Sequence, residues 1–211
     1  TLEGDYDGYM YRYSVTNSGL NLITTDPYGK GSTANGKDSV VVDFNKTKID
    51  LFEKDLPKYE KYSDAVIYEL HVRDLTIDAN TNIEHKGKYL GLAEEGRVTK
   101  KGNPAGLDYI KFLGVTHVQL LPIYDFKTTD ELNPDTTYNW GYDPAQYFVP
   151  EGSFSLNPND TYSRIIELKQ LIAAFHKNGI KVNMDVVFNH VYSSEFSTFE
   201  KVVPNYYFRK N

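Results

Sequence analysis

Between Thr136 and Ser155 the chain reads TTYNWGYDPAQYFVPEGSFS, a stretch rich in the residue types that recognise a flat, neutral ligand. Tyr138, Trp140, Tyr142 and Tyr147 supply rings, Asp143 supplies an acceptor, and Gly141, Pro144 and Pro150 punctuate the run. Aromatic faces with a few fixed hydrogen-bonding groups suit polyols better than ions. The plain alternative is that the rings plug a gap between elements. A second group, DVVFNH (185–190), places Asp185 in an otherwise apolar strand, with Asn189 and His190 at its exit. A buried carboxylate there must find a partner. The competing readings are that Asp185 only anchors loop backbone and that His190 is a structural histidine. In YELHVRD (68–74), Glu69, His71 and Arg73 alternate onto one side, and a structural ion-pair network is the favoured reading.

The elements that must position these residues are legible from periodicity. AVIYELHV (65–72), THVQLLPI (116–123) and IKVNMDVVF (180–188) are near-continuous apolar runs, as expected of parallel strands covered on both faces. Between the first two lies NPAGLDYIKFLG, where Asn103 can cap, Pro104 suits the first helical position, and Gly114 ends the stripe of Leu107, Ile110 and Leu113. Between the second and third, NDTYSRIIELKQLIAAFHKNG (159–179) puts Ile165, Leu168, Leu171, Ile172 and Phe175 on one face and stops at Gly179. The order is strand, helix, strand, helix, strand. Each helix returns to its strand within a residue or two, whereas each strand reaches its helix only after a long excursion, far above the usual ~2–6 residues. Long loops therefore gather at the C-terminal ends of the strands, the face where parallel α/β proteins bind ligands. Residues 136–155 belong to the second excursion. Their apolar positions fit neither helical nor strand spacing, so they are expected to form loop.

Ahead of this region, GYMYRYSVT (8–16) and SVVVDF (39–44) read as short strands, the end of an all-β module. Residues 45–64 are charged and aperiodic around Pro57, as in a linker.

Composition narrows the classes. A net charge of -6 offers no basic field for nucleic acid. No apolar run approaches the ~20 residues of a membrane helix. The absence of cysteine excludes disulfides and thiolate chemistry, and His71, His85, His117, His176 and His190 show no zinc-type spacing. The compartment is not fixed by these features; secretion or the cell surface is the favoured expectation.

YNWGYDP (138–144), VTHVQLLPIYDF (115–126), VPEGSFS (149–155) and DVVFNHVY (185–192), in this order, resemble type I pullulanases, debranching glycoside hydrolases of the α-amylase superfamily. The resemblance covers essentially the whole chain, and residues 1–50 are similar to the last strands of the family's starch-binding-like β-sandwich module. It implies an α/β chain comprising the first three βα units of a (β/α)8 TIM barrel, with divisions at 1–50, a linker at 51–64 and an incomplete barrel at 65–211. It implies cleavage of α-1,6 branch bonds in pullulan, amylopectin or glycogen, with retention. Tyr142 would stack on the glucosyl ring before the scissile bond, with Trp140 in the same substrate-binding loop. Asp143 would hold hydroxyls of that ring and His190 its hydroxymethyl group. Asp185 would orient an arginine beside the nucleophile, and Asn189 would secure the loop.

In that family the nucleophile and acid/base follow later barrel strands, so no catalytic carboxylate is expected in these 211 residues. The chain is then expected to be one piece of a larger or nicked enzyme, inactive alone, with the C-terminal remainder docked as a second chain. No cofactor is expected to be required, and calcium is left open. The alternatives are a superfamily relative that cuts α-1,4 bonds and a non-catalytic glucan-binding fragment. An open nucleotide-binding sheet lacks a Gly-rich phosphate loop after any strand.

Overall fold

Asp160 starts the longest element of the protein, whose computed structural model describes residues 3–209. Its carboxylate accepts from Tyr162 N at 2.9 Å, an N-cap, and α3 then runs over Thr161–Lys177. The chain leaves that helix through Gly179, whose φ of 75° favours glycine. Ile180 is buried, and strand β9 follows at Lys181–Met184. The shorter α2, Leu107–Leu113, ends the same way at Gly114, with φ 70°. Its start differs from expectation. Gly106, not Asn103, precedes the first turn, with φ 56° and ψ −128°, while Pro104 pairs in an isolated bridge with Val98. The backbone conformation only glycine tolerates overrides the sequence preference of Asn and Pro at a helix start.

Strands β5 (Ile67–Leu70), β6 (His117–Leu120) and β9 form a parallel sheet in the order β5-β6-β9. Tyr68, Val118 and Val182 are in register, as are Leu70, Leu120 and Met184. Leu70, Val118 and Leu120 join Leu107, Ile110, Leu171 and Phe175 in the main core. The alternate positions carry Glu69, Gln119 and Asn183 side by side. The expectation of cover on both faces is therefore met on the helix side only. Each strand is also shorter than its apolar run, because residues beyond 70, 120 and 184 turn away into the loops.

The two excursions are more structured than the sequence suggested. The first carries a one-turn helix, α1, at Tyr89–Ala93. The second is a β-ribbon, in which β7 (Tyr124–Phe126) pairs antiparallel with β8 (Pro144–Pro150). Residues 144–150 are thus strand rather than loop. The two prolines sit at its ends and the register shifts between Tyr124 and Phe126, which hides the alternation. A last turn, α4, spans Thr198–Val202.

The N-terminal residues form two separate antiparallel pairs. β1 (Met10–Tyr11) pairs with β4 (Ser39–Val40), and β2 (Tyr13–Asn17) with β3 (Leu20–Thr24). The second hairpin turns through Ser18 and Gly19, both at positive φ, the two-residue turn that matches strand twist. Residues 31–51 lie along α3: Ser32 N donates to Thr161 Oγ1, Lys169 Nζ to Thr47 O, and His176 Nδ1 meets Leu51 O at 2.7 Å. The expected linker carries two 3-10 turns, Glu53–Asp55 and Tyr62–Asp64.

Candidate functional site

Gly141 brings the aromatic loop down onto the end of β6. A Cβ at this residue would lie 2.8 Å from Pro122 O, and its φ is 91°. Asn139 shapes the same turn. Its Oδ1 accepts from Gly141 N, its Nδ2 donates to Asp143 Oδ1 and to Thr128 Oγ1, all at 2.8 Å, and its carbonyl meets His71 Nε2 at 3.1 Å. Burial holds the His71 ring below the usual histidine pKa, so it is neutral where it supports the loop. Thr128 N and Oγ1 both donate to Asp143 Oδ2, at 2.8 and 2.7 Å. The Asp143 carboxylate is therefore fixed by three donors while its residue stays partly exposed.

The loop returns its next residue to the third strand. Tyr142 Oη donates to Asp185 Oδ2 at 2.7 Å, and His190 Nε2 meets Tyr142 O at the same distance. Since a carbonyl only accepts, Nε2 is the donor of this bond. Tyr147 Oη donates to His190 O at 2.7 Å. Desolvation, then the Asp185 carboxylate, pushes the Tyr142 hydroxyl up to about 12, so it remains a donor. Trp140, 60% exposed, and Tyr138, 54% exposed, line one open cleft with Tyr142, Asp143, Asn139 and Thr128.

Five of the six residues singled out from the sequence thus meet around one loop. Trp140, Tyr142 and Asp143 line the cleft, and Asp185 and His190 hold Tyr142 from behind. Asn189 is exposed and lines a neighbouring concavity with His190, Tyr147 and Phe188. Asp185 departs from its expected setting. It lies one residue past β9 and is half-buried rather than buried. Its N–H donates to Leu120 O, which carries the ladder one step beyond the strand. Among the described residues its carboxylate pairs with the Tyr142 hydroxyl and with no arginine. The expected Glu69–His71–Arg73 network is also divided. Glu69 accepts from Gln119, while His71 and Arg73 approach Asp74 past the end of β5. Sequence reasoning missed Asn139 and Thr128. Asn two residues before Gly is an Asx-turn signal for the former, whereas nothing local marks Thr128.

Beneath the ribbon, Asp125, Glu131 and Glu151 are all at most 2% exposed. Arg164, fully buried on α3, pairs bidentately with Glu131, whose oxygens also accept from Asn35 N and Gly152 N. Glu151 accepts from Phe126 N and Ser153 N. Among the described residues Asp125 is met only by Gln146 Nε2, at 3.4 Å. Desolvation, then the Glu131 charge, raises Asp125 to about 8, and the same two causes lift Glu151 well above its usual range. One oxygen from each carboxyl lies within 4.8 Å of the others, a spacing that Ca–O bonds of roughly 2.3–2.6 Å can span. Both Glu131 oxygens are already taken by the Arg164 guanidinium and two backbone N–H groups, so the three carboxyls are not a free ligand set for a cation.

Aromatic rings and fixed polar groups thus gather at the C-terminal ends of a parallel α/β sheet. The family model described as alpha amylase, catalytic domain, matches residues 94–211, more than half of the sequence, and the chain belongs to that family. Over 99% of its length it is 46% identical to a pullulanase of Bacillus subtilis (strain 168). The whole chain superposes on the pullulanase of Anoxybacillus sp. LM18-11 complexed with maltotetraose, at a TM-score of 0.96 and 46% identity. It matches the Paenibacillus barengoltzii pullulanase in complex with maltohexaose and alpha-cyclodextrin at 0.95 and 47%. The chain spans 29% of the first relative's length, and 30% and 33% of these two structures.

Proposed function

We propose that the chain is the substrate-binding part of a debranching glycoside hydrolase that cleaves α-1,6 bonds of pullulan, amylopectin or glycogen with retention. The observation that carries this reading is the Tyr142 ring, set in an open cleft beside Trp140 and locked through Asp185 and His190. The parallel β5-β6-β9 order supports reading this sheet as the first βα units of a (β/α)8 barrel; the β-sandwich end at 1–50, the linker at 51–64 and the barrel portion at 65–211 belong to the same proposal. Sugar stacks on Tyr142 and Trp140, and Asp143 and His190 supply hydroxyl contacts. The nucleophile and acid/base, which a retaining mechanism sets about 5–5.5 Å apart, come from a further part of the enzyme.

Digestion of pullulan tests the activity. Maltotriose is the expected product when the chain works with the rest of the enzyme; panose would move the cut to α-1,4 bonds. One observation favours glucan binding without turnover by this chain alone: Asp143, which lines the cleft, and Asp185 behind it are both engaged in holding the loop. Binding of amylopectin without product, lost in Tyr142→Ala, would establish that second reading.

A further inference from the structure

Trp140 is exposed, yet it does not stand free. Its Nε1 donates to Tyr138 Oη at 2.9 Å, and that hydroxyl in turn donates to Asp74 Oδ2. Asp74 lies in the turn that leaves β5, 64 residues before Tyr138 in the sequence. The same turn grips the Tyr138 ring. The His71 ring packs against it with centroids 5.8 Å apart, the Arg73 guanidinium lies 6.0 Å from its centre, and Arg73 Nη1 approaches Asp74 Oδ1 at 3.6 Å. Desolvation, then Asp74, raises the Tyr138 hydroxyl above its ordinary pKa, so the relay keeps its proton.

Resting on the glucan reading above, we propose that Trp140 is a separate stacking subsite for a further glucose unit, and that Tyr138 and Asp74 are its positioning residues. The relay occupies the indole N–H, so the ring meets a ligand through its face rather than through a hydrogen bond. A pyranose offers a matching flat face of C–H groups. Arg73 and Asp74 offset each other's charge behind the Tyr138 ring. Fixing the ring beforehand removes the loss of side-chain freedom that a mobile exposed tryptophan would suffer on binding.

Trp140 is the single tryptophan of the sequence, so the intrinsic emission of the chain reports on this residue. Maltotetraose titrated into the wild-type chain is expected to shift that emission saturably. Tyr138→Phe keeps the ring against His71 and Arg73 but breaks the relay. It is expected to lower the anisotropy of unbound Trp140 and weaken maltotetraose binding by about two- to tenfold. Asp74→Ala should reproduce both effects, whereas Asp74→Asn, which retains an acceptor, should restore most of the wild-type behaviour. Wild-type anisotropy and affinity in both Tyr138→Phe and Asp74→Ala would overturn the positioning role. Calorimetric binding of maltotetraose that leaves the emission unmoved would overturn the subsite alone. No heat of binding to the wild-type chain would overturn the glucan reading and the subsite with it.

Discussion

At the scale of single residues, the site separates groups that present themselves to a ligand from groups that hold them there. Tyr142 does both, because its ring faces the cleft while its hydroxyl reaches Asp185. The two roles can be taken apart. Tyr142→Phe removes one hydrogen bond to a charged acceptor, worth about 1 kcal/mol at this half-exposed position after discounting for solvent. Glucan affinity should fall modestly. Tyr142→Ala also removes the stacking face, and affinity for maltotetraose should fall at least tenfold. Calorimetry with both variants checks the order, and equal losses would place the ring outside the contact. Tyr142, Asp143 and His190 were legible because their types stand out within short motifs. Thr128, which fixes Asp143, and Asp74, which holds Tyr138, were not, because they reach the loop from other segments, and no local pattern encodes a contact across 15 or 64 residues.

At the scale of elements, the ribbon β7–β8 is clamped to α3 through buried charge. Arg164 and Glu131 are both at most 1% exposed, so removing either partner strands the other. Arg164→Met or Glu131→Gln should each lower stability by about 3–5 kcal/mol, read from urea unfolding. Asp125 adds a pH dependence. Its folded pKa of about 8 lies above the usual carboxylate range, so the native state holds a proton that the unfolded chain releases near pH 4. Stability should therefore fall as pH rises from about 4 to about 8 and level off above. Asp125→Asn should flatten that slope. This ribbon escaped the sequence because the alternation of residues 144–150 is framed by prolines and paired through an irregular register. The α3 helix did not escape, since one apolar stripe that ends at a Gly stop is a local signal.

At the scale of the whole molecule, the strand–helix alternation was readable, but the relation between the N-terminal residues and the sheet was not. Composition divides them at a charged, aperiodic stretch, which suggests loosely tethered units. The contacts say otherwise. Gly31 approaches α3 so closely that a Cβ would lie 2.5 Å from Thr161 Oγ1 and 2.6 Å from Val42 Cγ2. Asn35 and Glu131 exchange hydrogen bonds, Asn35 N to Glu131 Oε2 at 2.6 Å and Glu131 N to Asn35 Oδ1 at 2.8 Å. Tyr162 Oη also reaches Asp43 N and Asp7. These bonds tie residues 7–51 to the helix and ribbon that carry the site, so the two parts should unfold together in one transition. Gly31→Ala should weaken that tie by about 1–3 kcal/mol, because the new methyl must displace α3 or Val42. Differential scanning calorimetry of both proteins decides the matter. A single peak that moves down intact in Gly31→Ala means that the N-terminal segment is part of the folding unit. Two peaks in the wild type, with only the lower one sensitive to the substitution, would mean an independent module behind a true linker.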